Sequence, residues 1–446
     1  MAINAPRGTQ DVTPSQSYKW QFIENLLIES ASLFGFKEIR TPTFEQIDLF
    51  CRGVGDTTDV VQKEMFEVKA QKGTDVYALR PEVTAGVVRA SLENGLLNDA
   101  LPLKVCYIAA CFRHERPQAG RLREFHQFGC EVFGSKSAAA DVEIISLIDH
   151  IITLIGLKNV ELNLNSIGCP TCRAEYHKAL RSYFEKYIDK LCPTCLERMT
   201  KNPMRILDCK SPNCAEIAKD APVAIDYLCG ECSDHFNSVK TRLDGIGINY
   251  KVNTKIVRGL DYYTKTVFEF ITTDIGAQGT VFGGGRYDGL VEQLGGKATS
   301  GLGFGMGIER LLMVMEAQGI EIPVPKQCDL YIGSMGDIAN IKACEITKKL
   351  RDEGFYVECD LMDRSVKAQM KYANKISAKM SLILGESELS SGKANIKDMA
   401  SGEQKEIVFE TELANMLYDA MLAREADLLA DRIGENAFAD LMGMDN

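Results

Sequence analysis

The 446-residue chain lacks the features of membrane-bound and secreted proteins. Its uninterrupted apolar runs fall short of the roughly 20 residues that a membrane-spanning helix needs. The first residues, MAINAPRGTQDV, contain no apolar stretch of the kind that directs secretion. Hydrophobic residues make up 45% of the chain and charged residues 25%, which is ordinary for a globular protein. We therefore expect a cytoplasmic protein of two or three domains with no membrane partner.

Two nucleotide-binding motifs are missing or incomplete. The run GxxxxGK followed by Ser or Thr does not occur, which excludes a P-loop nucleotidase. The stretch GLGFGMG resembles a dinucleotide-binding loop only loosely, because no helix is predicted to begin at its first glycine. If the chain binds a nucleotide, it uses another arrangement.

Positive charge is also scarce, since the formal net charge is −11. Such a balance at first argues against a nucleic-acid partner. However, nine acidic and only two basic residues lie from Glu410 to the end, which leaves a net charge of −4 for the rest. A nearly neutral body can carry local basic patches, so a nucleic-acid partner is still compatible with the composition.

Cysteine, in contrast, is abundant. Fifteen cysteines without a secretion signal indicate reduced thiols, and eight of them fall between Cys169 and Cys232. We interpret Cys169 to about Gly245 as a small inserted domain. A four-thiolate zinc site is predicted by the spacing of the first four, Cys169, Cys172, Cys192 and Cys195. A second site could use the last four, Cys209, Cys214, Cys229 and Cys232. Free structural thiols are the alternative, and any zinc here is expected to be structural.

The stretch FRHERPQAGRLREFHQFGCEVFG, from Phe112 to Gly134, predicts two strands joined by a polar loop. The loop contains three arginines: Arg116, Arg121 and Arg123. On the second strand, alternation places Phe125, Gln127 and Glu131 on one face. An aromatic ring, an amide and a carboxylate beside a cationic loop suit a ligand with a base and phosphates. The alternative is an ordinary amphipathic hairpin with solvated arginines.

A second stretch, GLGFGMGIERLL, predicts a strand with glycine at every second position from Gly301 to Gly307. One face of this strand lacks side chains, so a flat ligand could lie close to its backbone. Arg310 follows in the first turn of the next helix. Together with Arg113 and Arg258 it makes three arginines at predicted strand ends. Because arginine binds phosphate oxygens in a bidentate manner, this pattern indicates an anionic ligand with several phosphates.

Other segments indicate the architecture. Thr13 and Pro14 begin a predicted helix, and EIRTPTFE is predicted to be an edge strand because it contains Pro42. LRPEVTAG turns from a strand into a helix that begins with Glu82 and Thr84, for which plain helix capping is the alternative role. After the linker IPVPKQ, alternating strands and helices predict a βαβαβ unit with parallel strands: 330–332, 338–351, 356–361, 366–377 and 381–384.

Four of these stretches, together with RGLDYY from Arg258 and GGGRYDGL from Gly283, resemble the histidyl-tRNA synthetases, which are class II aminoacyl-tRNA synthetases, in their bacterial form. EIRTPTFE resembles motif 1 of the class, FRHERPQAGRLREFHQFGCEVFG resembles motif 2, and GLGFGMGIERL resembles motif 3. LRPEVTAG, RGLDYY and GGGRYDGL resemble the segments that mark the histidine member. The resemblance runs in order from the N-terminus to about Glu410.

The resemblance implies an α+β fold. A six-stranded antiparallel catalytic sheet with flanking helices would occupy 1–325 and form a dimer through motif 1. Its helical cysteine-rich insertion, about 169–245, would lie near the acceptor end of tRNA. Residues 326–410 would form an α/β anticodon-binding domain. An acidic, helical extension, 411–446, continues past the usual end of the family, and a solvated or dimer-packing helix is its simplest interpretation.

The implied reaction has two steps. Histidine and ATP, with Mg²⁺, would give histidyl-adenylate and pyrophosphate, and the histidyl group would then pass to the 3′-terminal adenosine of histidine tRNA. The implied partners are L-histidine, ATP, histidine tRNA and a second copy of the chain. The cysteine density of the insertion is not general in this family, so the resemblance leaves bound zinc open.

Residue roles carry over from the family onto matching positions. Three arginines would be catalytic: Arg113 at the α-phosphate, Arg310 at the γ-phosphate and Arg258 beside the α-phosphorus, a task that other class members give to a metal ion. Further residues would bind ATP: Glu115, Arg121 and Phe125, the last by stacking on adenine. The remaining set would bind histidine: Glu82, Thr84 and Gln127 at the amino group, Glu131 and Tyr263 at the imidazole, and Tyr262 and Tyr287 nearby.

Two other functions compete with catalysis. One is a regulatory paralogue, a synthetase-like subunit of ATP phosphoribosyltransferase that binds ligands without charging tRNA. The other is a tRNA-binding or nutrient-sensing pseudo-enzyme. Such proteins usually lose site residues or the C-terminal domain, whereas Glu82, Arg258, Arg310 and the C-terminal unit are all present here. The enzyme is therefore the favoured interpretation.

Overall fold

The computed structural model describes residues 3–422, apart from 56–57, 59, 70–74, 119, 257 and 277–278. The chain divides into two compact units between Pro323 and Val324, within the predicted linker. No helix in the described part of the chain has both the length and the apolar content needed to cross a bilayer.

The strands of the first unit, in chain order, are β1 (Lys37–Glu38), β2 (Phe44–Gln46), β3 (Phe66–Lys69), β4 (Val76–Leu79), β5 (Leu103–Phe112), β6 (Glu124–Phe133), β7 (Glu161–Ser166), β8 (Lys251–Val252), β9 (Thr264–Ile271), β10 (Thr280–Arg286) and β11 (Gly301–Gly307). Its α-helices are α1 (Pro14–Leu33), α2 (Ile47–Phe50), α3 (Thr84–Glu93), α4 (Ala138–Ile155), α5 (Pro170–Phe184), α6 (Pro193–Lys201), α7 (Pro212–Ala218), α8 (Gly230–Gly245), α9 (Leu290–Gln293) and α10 (Ile308–Ala317). Shorter 3₁₀ or π segments lie at Cys51–Gly55, Val60–Glu64, Leu96–Asn98, Glu185–Lys190, Pro203–Ile206 and Ala224–Tyr227.

The main sheet has the strand order β1-β5-β6-β11-β10-β9-β7-β8. Its six central strands are antiparallel, which confirms the predicted catalytic sheet. The two-residue strands β1 and β8 add parallel pairs at the edges. EIRTPTFE does not continue as one strand, because proline at position 42 has no N–H to donate to a ladder. The chain beyond it forms β2, in a separate sheet of order β2-β4-β3.

Helices α1 and α4 cover one face of the main sheet, and the site lies on the other face. Ile23 and Leu27 of α1 and Ile148 of α4 belong to the same buried cluster as Phe128 and Cys130 of β6. Since side chains alternate along a strand, the odd-numbered residues of β6 lie on the opposite face. This agrees with the alternation predicted for Phe125, Gln127 and Glu131.

The segment between β7 and β8 is helical and carries the cysteine-rich sequence in α5 to α8. Its apolar residues Tyr176, Leu180 and Phe184 repeat along one face of α5 and are buried. They share a hydrophobic cluster with Tyr262 and Tyr263, which follow β8 in the chain. The insertion therefore packs against the part of the first unit that contains RGLDYY.

The second unit contains β12 (Leu330–Ser334), α11 (Asp337–Asp352), β13 (Val357–Cys359), α12 (Val366–Lys375), β14 (Met380–Leu384), α13 (Glu386–Ser391), β15 (Lys393–Asp398) and β16 (Gln404–Val408). Its sheet order is β13-β12-β14-β15-β16, with β12 parallel to both of its neighbours. This confirms the predicted βαβαβ unit. Residues 413–422 are helical, and Leu413 and Leu417 are buried in the core of this unit. The predicted acidic extension therefore begins against that core, while 423–446 lie outside the described residues.

Candidate active site

Glu131 on β6 is the centre of a buried cluster of hydroxyl groups. Its Oε1 accepts hydrogen bonds from Thr84 Oγ1 at 2.7 Å and from the Tyr107 hydroxyl at 3.1 Å. Its Oε2 accepts a hydrogen bond from the Tyr287 hydroxyl at 2.5 Å. Burial raises the pKa of Glu131 to about 8, because the charged form is poorly solvated there. The cluster thus holds a carboxyl group that can change charge near neutral pH.

The glycines of β11 make room for this cluster. In the ladder, Gly303 lies opposite Glu131, and a Cβ at Gly303 would overlap Glu131 Oε2. A Cβ at Gly305 would likewise overlap Gln127 Nε2, and one at Gly301 would overlap the Tyr287 ring. The sequence predicted a bare strand face open to a flat ligand. Much of that face instead receives side chains from neighbouring elements, which brings Glu131 and Gln127 close to the β11 backbone.

Glu82 lies at the beginning of α3, beside the same cluster. Its carboxylate accepts hydrogen bonds from the backbone N–H groups of Thr84 at 2.8 Å and Ala85 at 3.0 Å. Glu82 is buried, and burial raises its pKa despite these two donors. It does cap the helix, and it also orients Thr84, whose hydroxyl reaches Glu131. The capping and site interpretations of this residue are therefore compatible.

Arg258 connects the two tyrosines of RGLDYY to the sheet. Its guanidinium forms an ion pair with Glu269 of β9 and lies 5.5 Å from the centre of the Tyr263 ring. A Cβ at Gly283 of β10 would overlap this guanidinium, so glycine is needed there. The buried Nε of Arg258 has no hydrogen-bond partner among the described residues. A half-buried cation whose buried Nε has an unused donor is suited to an anionic ligand.

Tyr262, Tyr263 and Tyr287 form a continuous aromatic group. The Tyr262 ring lies 4.8 Å from that of Tyr263 and 5.5 Å from that of Tyr287, centre to centre. All three are buried. Because Tyr287 reaches Glu131 and Tyr263 reaches Arg258, this group joins the carboxyl cluster to the arginine.

Arg113 and Phe125 lie together at the end of the β5–β6 hairpin. The guanidinium carbon of Arg113 is 5.2 Å from the centre of the Phe125 ring, and its Nε donates to the Pro81 carbonyl at 2.9 Å. Arg310 donates to the carbonyls of Thr280 at 2.7 Å and Gly120 at 3.0 Å. The Arg310 side chain therefore joins α10 to β10 and to the hairpin loop.

Charged pairs surround these arginines. In the hairpin loop, Arg121 pairs with Glu115 at 3.0 Å. Next to Arg310, the carboxylate of Glu309 accepts from the backbone N–H of His126 at 2.9 Å. Its Oε1 also lies 3.0 Å from the His126 ring Nδ1.

A pocket of about 790 Å³ opens over these groups, which is the size of a small-molecule site. Seven predicted residues line it: Arg113, Glu115, Arg121, Phe125, Gln127, Arg258 and Arg310. The other predicted residues form the buried cluster beside it: Glu82, Thr84, Glu131, Tyr262, Tyr263 and Tyr287. The Arg258–Tyr263 contact joins the two parts.

Sequence reasoning missed three residues of this region. Tyr107 reaches Glu131 because it lies opposite Gly129 in the β5–β6 ladder, and a Cβ at Gly129 would overlap its hydroxyl. Glu269 is the partner of Arg258, and Arg205 of the insertion lines the pocket. Strand alternation could have placed Tyr107 and Glu269 on the site face, but the sequence contains no signal for Arg205.

The cysteines group differently from the prediction. The first group is Cys169, Cys172, Cys229 and Cys232, and the second is Cys192, Cys195, Cys209 and Cys214. The predicted set of Cys169, Cys172, Cys192 and Cys195 is therefore divided between two sites. Helix α5 separates its two halves, and its 15 residues extend about 22 Å. The beginning of α8 instead returns Cys229 and Cys232 to the first pair.

A six-stranded antiparallel sheet beside a pocket lined by Arg113, Arg258 and Arg310, followed by a separate α/β unit, is the arrangement of the class II aminoacyl-tRNA synthetases. The sequence model described as "Histidyl-tRNA synthetase" matches residues 8–311, and that described as "Anticodon binding domain" matches 329–434. The chain belongs to the histidyl-tRNA synthetase family.

Individual relatives agree with this assignment. The histidine–tRNA ligase of Clostridium novyi (strain NT) is 55% identical over 419 residues, which cover 94% of this chain and 100% of that protein. That of Caldanaerobacter subterraneus subsp. tengcongensis is 52% identical over 410 residues, covering 92% and 98%. The crystal structure of apo S. aureus histidyl-tRNA synthetase superposes with a TM-score of 0.79 at 37% identity, covering 93% of this chain and 100% of that one. These matches confirm the resemblance found in the sequence.

Proposed function

We propose that this chain ligates L-histidine to the 3′ end of histidine tRNA, with ATP as the second substrate and histidyl-adenylate as the intermediate. The observation that carries the proposal is the buried Glu131 cluster, which is joined through Tyr263 and Arg258 to a pocket whose lining includes Arg113, Arg258 and Arg310. The Glu131 cluster suits a small ligand that donates hydrogen bonds, and the pocket with its arginines suits a triphosphate.

Histidine would bind with its two imidazole nitrogens toward Glu131 and Tyr263. A carboxyl acceptor and a phenol can serve the two ring nitrogens, and an analogue without them would leave buried polar groups unpaired. The amino group would lie near Glu82, Thr84 and Gln127. The substrate carboxylate would then point toward Arg258, since Tyr263 contacts that guanidinium.

ATP would occupy the pocket with its adenine against Phe125. Arg113, already next to that ring, would hold the α-phosphate, and Arg310 would hold the γ-phosphate. The histidine carboxylate would attack the α-phosphorus, and pyrophosphate would leave. Arg258 would stabilise the charge that develops there, because its ion pair with Glu269 already holds the cation in place before the reaction. In the second step the terminal adenosine hydroxyl of tRNA attacks the acyl carbon, and AMP leaves.

Mg²⁺ would enter with the ATP phosphates, whose charge it would screen. Three of the carboxylates that line the pocket already have partners: Glu115 pairs with Arg121, Glu269 with Arg258 and Glu309 with His126. These residues fit an ion carried by the triphosphate better than an ion held by the protein.

Zinc would occupy both cysteine groups. The Sγ–Sγ distances are 3.6 Å for Cys169–Cys172, 4.0 Å for Cys169–Cys229 and 3.8 Å for Cys192–Cys209. A tetrahedral site with Zn–S bonds of about 2.3 Å has sulfur–sulfur edges of about 3.8 Å. Backbone N–H groups also point at the sulfurs, from Cys229 to Cys172 at 3.0 Å and from Cys192 to Cys214 at 3.3 Å. Metal analysis of chelator-free protein tests this, and less than about 0.2 metal per chain would contradict it.

Oligomeric state and compartment are further parts of the proposal. A homodimer through the surface near β1 is supported by this short edge strand and by the exposed side chains of Leu33 and Phe44. Light scattering on the purified protein measures its mass in solution and so tests for the dimer. A reducing cytoplasm is supported by the fifteen free thiols. The arginines of the loop between β5 and β6, and the second unit, would contact tRNA.

The deciding experiment is histidine-dependent ATP–pyrophosphate exchange, followed by charging of histidine tRNA. We expect pyrophosphate exchange that requires histidine and that other amino acids do not support. Histidine binding without exchange would instead identify a regulatory paralogue. A likeness in fold does not separate these alternatives, because both classes share the catalytic sheet.

A further inference from the structure

The insertion forms hydrogen bonds with the chain segment that carries Arg258, Tyr262 and Tyr263. Arg205 donates to the Asp261 carboxylate at 2.7 Å and to the Gly259 carbonyl at 2.8 Å. Asn202 adds a hydrogen bond of 3.1 Å to the same carboxylate. Three contacts from one short stretch of the insertion thus converge on the middle of segment 258–263.

A second arginine of the insertion forms hydrogen bonds with the C-terminal end of the segment. Arg173 donates to the Asp261 carbonyl at 3.4 Å and to the Tyr263 carbonyl. Its side chain is half-buried. The segment from Gly259 to Tyr263 is therefore held from both sides by the insertion.

Each arginine is anchored beside one cysteine group. Arg173 directly follows Cys172 of the first group. Arg205 lies in the 3₁₀ segment Pro203–Ile206, between Cys195 and Cys209 of the second group, and its carbonyl accepts from Arg198 at 3.2 Å. Closing the chain through four thiolates removes freedom from the short stretches that position these two arginines.

We propose that the two cysteine groups, each holding a metal ion, form a clamp that positions the active-site segment 258–263 through Arg173 and Arg205. The first centre locates Arg173 and the second locates Arg205. Both arginines are positioning residues, since the segment they hold carries Arg258 and Tyr263 to the reacting groups. The inference rests on the proposed adenylation activity and on the proposed zinc, and it assigns the metal a role in aligning catalysis as well as in folding.

The main test compares Arg205→Ala with Arg181→Ala. Arg181 is a matched control because, among the described residues, it donates to the Met199 and Thr200 carbonyls of the insertion itself. We expect Arg205→Ala to lower kcat for pyrophosphate exchange about 10²-fold, the cost of misplacing a catalytic group by about 1 Å, with a much smaller change in KM for ATP. Arg205→Lys should recover part of kcat, because it can still pair with Asp261. Equal kcat in the two alanine variants would overturn the clamp.

Two further readouts separate positioning from general damage. Amide hydrogen exchange in 258–263 should accelerate in Arg205→Ala and not in Arg181→Ala, while both proteins keep two metal ions per chain. In a double-mutant cycle, Arg205→Ala and Asp261→Asn should be strongly non-additive, since each removes the same contact. Additive effects, or unchanged amide exchange, would contradict the proposal.

The metal arm uses the full chain with one cysteine changed at a time. Cys195→Ser should lose about one metal ion and accelerate amide hydrogen exchange in 258–263. Cys232→Ser should do the same at the other centre. Cys344→Ser, at an exposed cysteine outside both groups, should change neither the metal content nor the amide hydrogen exchange. Metal loss that leaves the segment's amide exchange unchanged would overturn the link. If wild-type protein shows no histidine-dependent exchange, the proposed function fails, while amide exchange and metal content still test the clamp.

Discussion

Oε2 of Glu131 and the hydroxyl oxygen of Tyr287 lie 2.5 Å apart, although 156 positions separate the two residues in the chain. Strand β11 runs between β6 and β10 in the sheet. The two side chains meet over β11 because Gly303 and Gly301 present no Cβ there. This contact therefore depends as much on two glycines as on its own partners.

Gly303→Ala should weaken histidine binding and leave ATP binding unchanged. The new methyl group would overlap Glu131 Oε2, so the carboxylate must move away from Thr84 and Tyr287. Losing one or two such hydrogen bonds costs about 1–3 kcal/mol, or roughly 5- to 150-fold in affinity. Calorimetric titration with histidine and with ATP checks this. Gly245→Ala, where a Cβ meets nothing within 4 Å, is the control, and equal histidine affinity in both variants would contradict the expectation.

Glu131→Gln should flatten the dependence of stability on pH. Burial raises the pKa of Glu131 to about 8 in the folded protein, against about 4.3 in the unfolded chain. Between these two pH values Glu131 is protonated in the folded protein and ionised in the unfolded chain. The stabilisation from this proton is therefore complete below about pH 4.3 and is lost as the pH rises to about 8. Thermal unfolding midpoints from pH 5 to 9 measure this.

The glutamine variant should lack that part of the decline, while the exposed Glu321→Gln should retain it. The same pH profile in both variants would show that Glu131 is already charged in the folded protein. Glu131→Gln should also reduce discrimination for histidine, which competition between amino acids in the exchange assay would reveal.

Arg258→Ala should slow adenylate formation by about 10²- to 10³-fold, the range found when one preorganised charge-stabilising group is removed. ATP should still bind, because Arg113 and Arg310 line the same pocket. Single-turnover rates and equilibrium ATP binding separate the two effects. Arg258→Lys keeps the charge without the planar fork and should fall between wild type and alanine. A normal single-turnover rate in the alanine variant would refute this role.

Arg286→Met should destabilise the first unit by about 3–5 kcal/mol, the cost of leaving one member of a buried ion pair alone. Arg286 is 0% exposed and donates to Asp141 at 2.6 Å and to the carbonyls of Ser135 and Ser137. Urea unfolding followed by circular dichroism measures the loss. The exposed Arg242→Met is the control.

Adding Asp141→Leu to Arg286→Met should restore part of the lost stability, since no charge is then buried without a partner. If the double variant is less stable than the single one, the ion pair does not account for the loss. Arg286 belongs to GGGRYDGL, so this prediction separates a folding role for that segment from the site role of the neighbouring Tyr287.

Some features of the site were readable from the chain because they depend on local rules. Alternation along β6 placed Phe125, Gln127 and Glu131 on one face, and the strand ladder shows the same arrangement. The βαβαβ order of the second unit followed from hydrophobic periodicity and agrees with its parallel strands. The three arginines stood out because a charge at a strand end needs a partner.

Other features depend on register and on distance through space. Local spacing suggested that the two CPTC segments share a metal, but a rigid helix of 15 residues keeps them apart. The glycine face of β11 was expected to be open, yet cross-strand neighbours occupy much of it, which only the ladder register determines. Tyr107, Glu269 and Arg205 entered the site for the same reason.

Periodicity, turn chemistry and short motifs in the chain were enough to identify the family and most of its strands and helices. They also identified the residue types available to bind a base, phosphates and an imidazole. The folded structure was needed to show which cysteines group together, which side chains fill the glycine face, and that two arginines of the insertion hold segment 258–263. Each of these is a contact between residues distant in sequence, and the packing of whole elements sets such contacts.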